Sequence, residues 1–231
     1  RIVDNKLAVI SVHNLSGSLE DMGRFVDSCM HSVKAQKIRH LAIDIRHNAG
    51  GNSMLGDMLI SYFYRGRYTQ MGKRSWKISQ AYKDYLRSKG DTSHAYLQHP
   101  NGSRWEIGNC EPRSNPFVNK DLFDGKVYLL TGPFTFSSAN MLADAFKQFK
   151  MGTIVGEPTG ENTSDFGEAY IMELPNSKLR MQLTTSFDTG VDCKAARLSP
   201  VLPDILVRAS LQEKINGTDA VVTAILRQIA E

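Results

Sequence analysis

The sequence predicts an α/β fold that forms a single domain over residues 1–231. Residues 1–64 alternate between strand and helix patterns, and the same alternation returns between residues 126 and 155. Residues 168–187 instead alternate apolar and polar side chains with a period of two. The first two observations indicate parallel strands joined by helical crossovers, and the third indicates an attached antiparallel region.

The first half of the predicted parallel sheet comes from two apolar runs, LAVISV at residues 7–12 and HLAIDIR at residues 40–46. Between them, Ser18 and Asp21 form the signature of a capping box that begins a helix. The apolar stripe of that helix has helical spacing and consists of Met22, Phe25, Val26, Cys29 and Val33. A glycine-containing turn at residues 48–52 then precedes a second helix over about residues 55–63.

An insertion at about residues 65–120 differs in character from the rest of the chain. It holds eleven Lys or Arg against four Asp or Glu, together with both tryptophans of the chain. Turn signals at residues 100–102 and 112–116 predict a loop-rich segment with a small core of its own. Its ends adjoin the two strand–helix junctions described below, so we expect it to gate a site and to favour acidic or carboxylate-bearing ligands.

The second half of the predicted sheet begins with KVYLLT at residues 126–131, followed by a helix whose apolar stripe includes Met141, Leu142 and Phe146. A further strand is predicted at residues 153–155. Residues 168–174 and 178–187 are predicted to pair through a turn at Pro175-Asn176, and a last helix begins near Thr218.

Composition excludes several classes of protein. The chain is 41% hydrophobic and 23% charged, with a net charge of +4, which is ordinary for a globular protein and too mild to indicate a nucleic-acid partner. No apolar run approaches the length of a transmembrane segment. Cys29, Cys110 and Cys193 include no C-x-x-C pair, so zinc fingers and dense disulfide frameworks are excluded, whereas one disulfide remains open.

The common catalytic motifs are absent: the sequence holds no G-x-S-x-G elbow, Walker A loop, dinucleotide fingerprint or H-E-x-x-H segment. No cofactor and no metal is therefore predicted.

Two strand–helix junctions remain as the candidate site. Gly50 and Gly51 end the strand of residues 40–46 with a turn whose missing Cβ atoms leave backbone amides accessible. Ser137 follows the strand of residues 126–131 and precedes a helix, where free amides and the helix dipole can activate a serine and stabilise an oxyanion. Both junctions lie at carboxyl ends of strands, where open α/β sheets place their sites. A plain helix cap at Ser137 or Ser138 and a plain chain turn are the structural alternatives.

These junctions resemble the carboxyl-terminal processing, or tail-specific, serine protease family. The resemblance rests on four segments in order: LAIDIRHNAGG at residues 41–51, VYLLTGPFTFSSANMLADAF at residues 127–146, VGEPT at residues 155–159 and PDILV at residues 203–207. It implies a crotonase/ClpP-like core of stacked strand–helix units and a serine-type peptidase that acts on peptide or unfolded protein substrates. An extracytoplasmic location, periplasmic, cell-surface or secreted, is also implied.

Carried over to this chain, the resemblance makes Ser137 the nucleophile. It makes the backbone amide of Ser138 one oxyanion donor and that of Gly50 or Gly51 the other. The family's usual PDZ module would precede Arg1, so we expect this chain to be a catalytic core without that upstream segment.

The general base is where the sequence departs from the family. The position of the family's catalytic lysine is occupied by Asn162, and no lysine occurs between Lys150 and Lys178. The chain therefore resembles the tricorn-like and chlamydial branch, in which a histidine serves as base and tends to come from a segment upstream of this core. We therefore expect the base to lie upstream of Arg1. His13, at the end of the first strand, is the local candidate, ahead of His47. The candidate acids, which the sequence does not separate, are Glu157, Asp165, Glu168 and Asp192.

Two other functions stay open from the sequence. The missing lysine is compatible with a catalytically silent peptide-binding or sensor module on the same core. A crotonase-like acyl-transfer enzyme would also use backbone oxyanion donors, but it would give no role to the serine.

Overall fold

Ten strands and six α-helices make up the part of the chain that the computed structural model describes, which is residues 1–119, 121–194 and 198–230. The strands are β1 (Ile2–Val3), β2 (Leu7–Ser11), β3 (His40–Asp44), β4 (Arg74–Lys77), β5 (Arg104–Ile107), β6 (Lys126–Thr131), β7 (Thr153–Gly156), β8 (Asp165–Glu173), β9 (Arg180–Asp188) and β10 (Ile205–Leu206). The helices are α1 (Leu19–Ala35), α2 (Ser53–Ile60), α3 (Gln80–Ser88), α4 (Ser138–Gln148), α5 (Leu211–Ile215) and α6 (Ala220–Ala230), and a 3₁₀ helix spans Ala95–Gln98. Within the described ranges, no helix combines the length and the apolar character needed to cross a lipid bilayer.

The larger sheet has the strand order β1-β2-β3-β6-β7-β10. All neighbours from β2 to β10 are parallel, and β1 is antiparallel to β2. Because these strands are parallel and linked by helical crossovers, the carboxyl ends of β3 and β6 lie at the same edge of the sheet. This confirms the predicted α/β fold.

Both faces of this sheet are covered, which explains why its strands are continuously apolar rather than alternating. On one face, Ile10, Ile43 and Leu129 pack with the buried sides of α1, α2 and α4. On the other face, Val9 and Leu130 pack against α6. Each of these buried aliphatic side chains stabilises the fold by roughly 1.5–3 kcal/mol relative to an exposed one.

Helix α1 begins as predicted, because the Ser18 hydroxyl accepts a hydrogen bond from the backbone N–H of Asp21. Its buried side chains are Met22, Val26, Met30 and Val33. Phe25, which the predicted stripe included, is 44% exposed. The buried residues follow one another from Met22 in steps of four, four and three, so Met30 faces the core and Phe25 lies beside the stripe.

The smaller sheet is antiparallel, with the strand order β5-β4-β9-β8. Strands β8 and β9 form the predicted hairpin, in register from Asp165 opposite Asp188 to Glu173 opposite Arg180. The insertion contributes the other two strands, since β4 pairs with both β9 and β5. Residues 65–120 are therefore more regular than the predicted loops.

The insertion also has an aromatic core of its own, as predicted. Trp76, Tyr82, Leu86 and Tyr96 are buried together with Tyr170 of β8. Trp76 stacks on Trp105, with a centroid distance of 4.3 Å.

Two further links hold the insertion to β9. Arg74 of β4 donates paired hydrogen bonds of 2.6 Å to both carboxylate oxygens of Asp188. Cys110, after β5, forms a disulfide with Cys193, which lies 83 residues further along the chain. The disulfide is the bridge that the sequence left open, and Cys29 is a free thiol.

Replacing Cys110 and Cys193 with serine is expected to lower the free energy of unfolding by about 2–4 kcal/mol, because a long loop of the unfolded chain is no longer closed. Thermal unfolding with and without a reductant measures the effect. Cys29→Ser is the matched control, and its unfolding should keep the wild-type sensitivity to reductant. A wild-type protein that unfolds at one temperature in both conditions would contradict the expectation.

Candidate active site

The turn after β3 is organised by Asn48, whose side chain is fully buried. Its Nδ2 donates to the carbonyl of Val12, directly after β2, over 2.9 Å. Its Oδ1 accepts from the backbone N–H of Gly50 over 2.8 Å. Its own carbonyl accepts from the N–H of Phe136, the residue before Ser137, over 3.0 Å. One residue thus joins the ends of β2 and β3 to the serine segment.

Gly50 and Gly51 both have positive φ angles, +99° and +137°. A Cβ on Gly51 would lie 2.0 Å from the carbonyl oxygen of Leu15, and one on Gly50 would lie 2.7 Å from Cβ of Ser137. Only glycine fits so close an approach in this conformation. The turn therefore brings its backbone against the beginning of α4.

The amide of Gly51 differs from that of Gly50. The Gly50 N–H is already donated to Asn48. The Gly51 N–H has no hydrogen-bond acceptor among the described residues, because the neighbouring Leu15 backbone pairs with Gly50 and Asn52 instead. Gly51 is thus the glycine of this pair that can donate to a ligand.

Ser137 lies where β6 has ended and α4 has yet to begin. Its backbone has φ +50° and ψ −127°, a conformation that a residue with a Cβ seldom adopts. Although Ser137 occupies the N-cap position of α4, its hydroxyl makes no capping hydrogen bond, and the residue is exposed. The plain helix-cap alternative is therefore not what the structure shows. An exposed hydroxyl on a strained backbone is common at functional sites.

Ser138 fastens this segment to the glycine turn. Its hydroxyl donates to the carbonyl of Gly51 over 2.6 Å. Its backbone N–H, in the first turn of α4, has no acceptor among the described residues and lies next to Gly50. Two unpaired amides, those of Gly51 and Ser138, are thus brought together beside Ser137, an arrangement that can bind an oxyanion.

Glu161 is a titratable group in direct contact with Ser137, and it is not one of the acids that the sequence offered as candidates. Its carboxylate accepts a hydrogen bond from the backbone N–H of Ser137. Burial, reinforced by the negative charges of Asp165 and Asp188, raises the pKa of Glu161 to about 7, although hydrogen bonds from Ser137 and Asn140 oppose the shift. One signal in the sequence could have identified Glu161: it directly precedes Asn162, and Asn162 occupies the position of the family's catalytic lysine.

These groups line one cleft of about 580 Å³ between the carboxyl edge of the larger sheet and the smaller sheet. Gly51, Ser137, Ser138 and Glu161 form one side of the cleft, and residues of β8 and β9 form the other. The insertion reaches the cleft through Arg74, which pairs with Asp188 and Glu168.

The histidines proposed from the sequence lie outside this cleft. His13 is exposed and makes no hydrogen bond to Ser137. His47 stacks on Phe134 with a centroid distance of 5.8 Å. No lysine of the described chain lines the cleft, where Asn162 contributes a backbone carbonyl that accepts from Asn140 over 2.7 Å.

The candidate acids separate in the structure. Asp165 and Glu168 line the cleft, whereas Asp192 is not among its lining residues. Glu157 pairs instead with Arg208 over 3.1 Å. Within residues 1–119, 121–194 and 198–230, no group of three or more His, Cys, Asp or Glu side chains is arranged to hold a metal ion.

Comparison with solved structures shows the same fold in several proteins. A protein from Parabacteroides merdae ATCC 43184, provisionally assigned as a peptidase, superposes on the whole chain with a TM-score of 0.66 at 16% identity. Mature CPAF complexed with lactacystin superposes on 96% of the chain with a TM-score of 0.63 at 13% identity. A protein from Bacteroides fragilis NCTC 9343, provisionally assigned as an S41 protease, does so on 96% with a TM-score of 0.56 at 12% identity.

The chain spans 63% of the first of these proteins, 50% of the second and 54% of the third. Among curated protein sequences, none matches the chain significantly. The model of peptidase family S41 matches residues 6–207, which include both junctions and all four segments of the predicted resemblance. The chain therefore belongs to peptidase family S41.

Proposed function

We propose that this chain is the core of a serine peptidase in which Ser137 attacks the carbonyl carbon of a peptide bond. The observation that carries the proposal is the exposed, uncapped Ser137 hydroxyl beside the unpaired amides of Gly51 and Ser138. Membership of peptidase family S41 supports the same reaction class.

The mechanism follows from this geometry. As the Ser137 Oγ forms a bond to the carbonyl carbon, the carbonyl oxygen becomes negatively charged. The amides of Gly51 and Ser138 are assigned to stabilise that oxygen, and each such donor is worth about 10²–10³ in kcat at comparable sites. Gly50 is assigned a structural role, because its N–H is held by Asn48.

The intermediate then collapses to an acyl-enzyme, in which the peptide carbonyl is esterified to Ser137 and the amine half of the substrate departs with a proton. Water hydrolyses the ester and regenerates the serine. Both steps need a group that accepts and returns the proton.

The proposed substrates are unfolded or tail-exposed peptides, cleaved in carboxyl-terminal processing. This finer assignment rests on the ordered segments of the resemblance. The open cleft between the two sheets supports it, since an extended peptide can lie along β8. Arg74 brings the basic insertion to the cleft, which supports a role of the insertion in selecting substrates. Whether the insertion opens and closes as a gate stays a prediction.

An extracytoplasmic location is proposed on the same resemblance. The disulfide between Cys110 and Cys193 supports it, because disulfides persist mainly in oxidising compartments.

A catalytically silent peptide-binding module is the second candidate. It is favoured by one observation, the absence of the family's lysine from a cleft where Asn162 stands in its place. Reaction of Ser137 with a fluorophosphonate probe separates the two, because an activated serine is labelled and a silent one is not.

Ser137→Ala is expected to abolish cleavage of an unfolded peptide while leaving the unfolding temperature almost unchanged. The hydroxyl makes no capping hydrogen bond, so its loss removes a nucleophile and little else. Peptide turnover, fluorophosphonate labelling and thermal unfolding are the measurements.

Ser18→Ala is the matched control, since Ser18 is a serine that does cap a helix and is not among the residues that line the cleft. This variant should lose about 1 kcal/mol of stability and keep wild-type turnover. Equal turnover by Ser137→Ala and the wild type would refute the assignment of the nucleophile.

A further inference from the structure

The proposed peptidase reaction needs a base, and neither a lysine nor a histidine is among the described residues that line the cleft. We propose that Glu161 is the general base that takes the proton of the Ser137 hydroxyl. This inference rests on the proposed function and adds the group that accepts the proton of the nucleophile.

The contact between the two residues carries the proposal. Glu161 accepts the backbone N–H of Ser137, so its carboxylate is held against the nucleophile's own main chain. Two of the three staggered rotamers about the Cα–Cβ bond place the serine Oγ gauche to that same nitrogen. Since the hydroxyl is not engaged as a cap, rotation into reach of the carboxylate breaks no existing hydrogen bond.

The burial and the charged neighbours of Glu161 raise the pKa of its carboxyl group. Asp165 and Asp188 oppose ionisation of Glu161. Arg74, the cation that lines the cleft, is already paired with Asp188 and Glu168 and is not paired with Glu161. Burial, reinforced by these charges, raises the pKa of Glu161 to about 7, which suits a base that must both accept and return a proton near neutral pH.

Asn140 is assigned as a positioning residue for Glu161. Its Nδ2 donates to the carbonyl of Asn162, the residue directly after Glu161, over 2.7 Å. Its Oδ1 is buried and has no donor among the described residues.

The proton balance closes without any other reactant. The ionised carboxylate of Glu161 takes the hydroxyl proton as the Ser137 Oγ bonds to the carbonyl carbon. The resulting carboxylic acid gives the proton to the leaving nitrogen as the C–N bond breaks. The regenerated carboxylate then deprotonates the water that hydrolyses the acyl-enzyme, and returns that proton to Ser137 Oγ.

A change of pH should alter the stability of the wild type but much less that of Glu161→Gln. The pKa of Glu161 in the folded state lies above its value of about 4.5 in the unfolded chain. The folded state therefore binds the proton more strongly, and the free energy of unfolding falls as pH rises between about 4.5 and 7. The unfolding temperature of Glu161→Gln minus that of the wild type should be larger near pH 8 than near pH 5. A difference that stays constant over this range would show that Glu161 titrates as an ordinary carboxyl and would overturn the proposal.

The decisive experiment is the pH profile of kcat/KM for cleavage of one unfolded peptide by this chain. For the wild type, kcat/KM should rise with pH through about 7, as the Glu161 carboxylate forms. Glu161→Gln preserves the acceptor for the Ser137 N–H but cannot take a proton. We expect it to lose about 10²–10⁴-fold in kcat, with little change in KM and without the rise near pH 7.

Chemical rescue separates a base from a structural carboxyl. Added formate should restore part of the activity of Glu161→Ala in proportion to its concentration, because a small carboxylate can enter the vacated position. Glu157→Gln is the matched control, since Glu157 pairs with Arg208 outside the cleft, and its profile should equal that of the wild type.

The outcomes distinguish the two proposals. A wild-type chain that cleaves no peptide and whose Ser137 does not react with a fluorophosphonate would refute the proposed function itself. A Ser137-dependent activity that survives in Glu161→Gln with an unchanged pH profile would overturn the role of Glu161 alone. Loss of that activity in His13→Ala but not in Glu161→Gln would assign the base to His13 instead.

Discussion

The hydrogen bonds of Asn48 are the constraint on which the candidate site depends. A single buried amide binds the carbonyl directly after β2 and the N–H of Gly50, while the Asn48 backbone binds the N–H of Phe136. Removing such a side chain would leave buried polar groups unpaired, which is costly in a dry environment. Asn48 therefore fixes the conformation of the glycine turn. That conformation determines which backbone amides of the turn remain free to bind a ligand. The geometry of the candidate site thus begins with a fully buried residue.

The strained backbone of Ser137 is held by its surroundings on every side. Its N–H is bound by Glu161, the preceding N–H by Asn48, and the following hydroxyl by the carbonyl of Gly51. Thr135 adds a bond of 2.9 Å to the carbonyl of Ile45. A strained conformation persists where several contacts determine it together. The consequence is a serine that lines the cleft and whose hydroxyl does not cap its own helix.

The cleft also concentrates negative charge, which acts against stability. Asp165, Asp188 and Glu161 lie near one another, and a single cation, Arg74, accompanies them among the described lining residues. Because Arg74 belongs to the insertion, the insertion contributes a positive charge that pairs with the Asp188 carboxylate of the cleft. Destabilising charge repulsion of this kind is typical of functional sites, where groups are arranged for reactivity and the free energy of unfolding is lower as a result.

Local pattern alone determined the α/β class, the helix begun by Ser18, the β8–β9 hairpin and the two junctions that carry Gly51 and Ser137. These features depend on the period of apolar residues and on local backbone preferences, which the sequence displays directly. The sequence could not show that β4 pairs with β9, that Cys110 bonds to Cys193, or that Glu161 binds the Ser137 N–H, because these contacts join segments that are distant along the chain. A carboxyl's proton affinity likewise depends on burial and on charges brought near by folding, so only the tertiary structure distinguished Glu161 from the other acids of the chain.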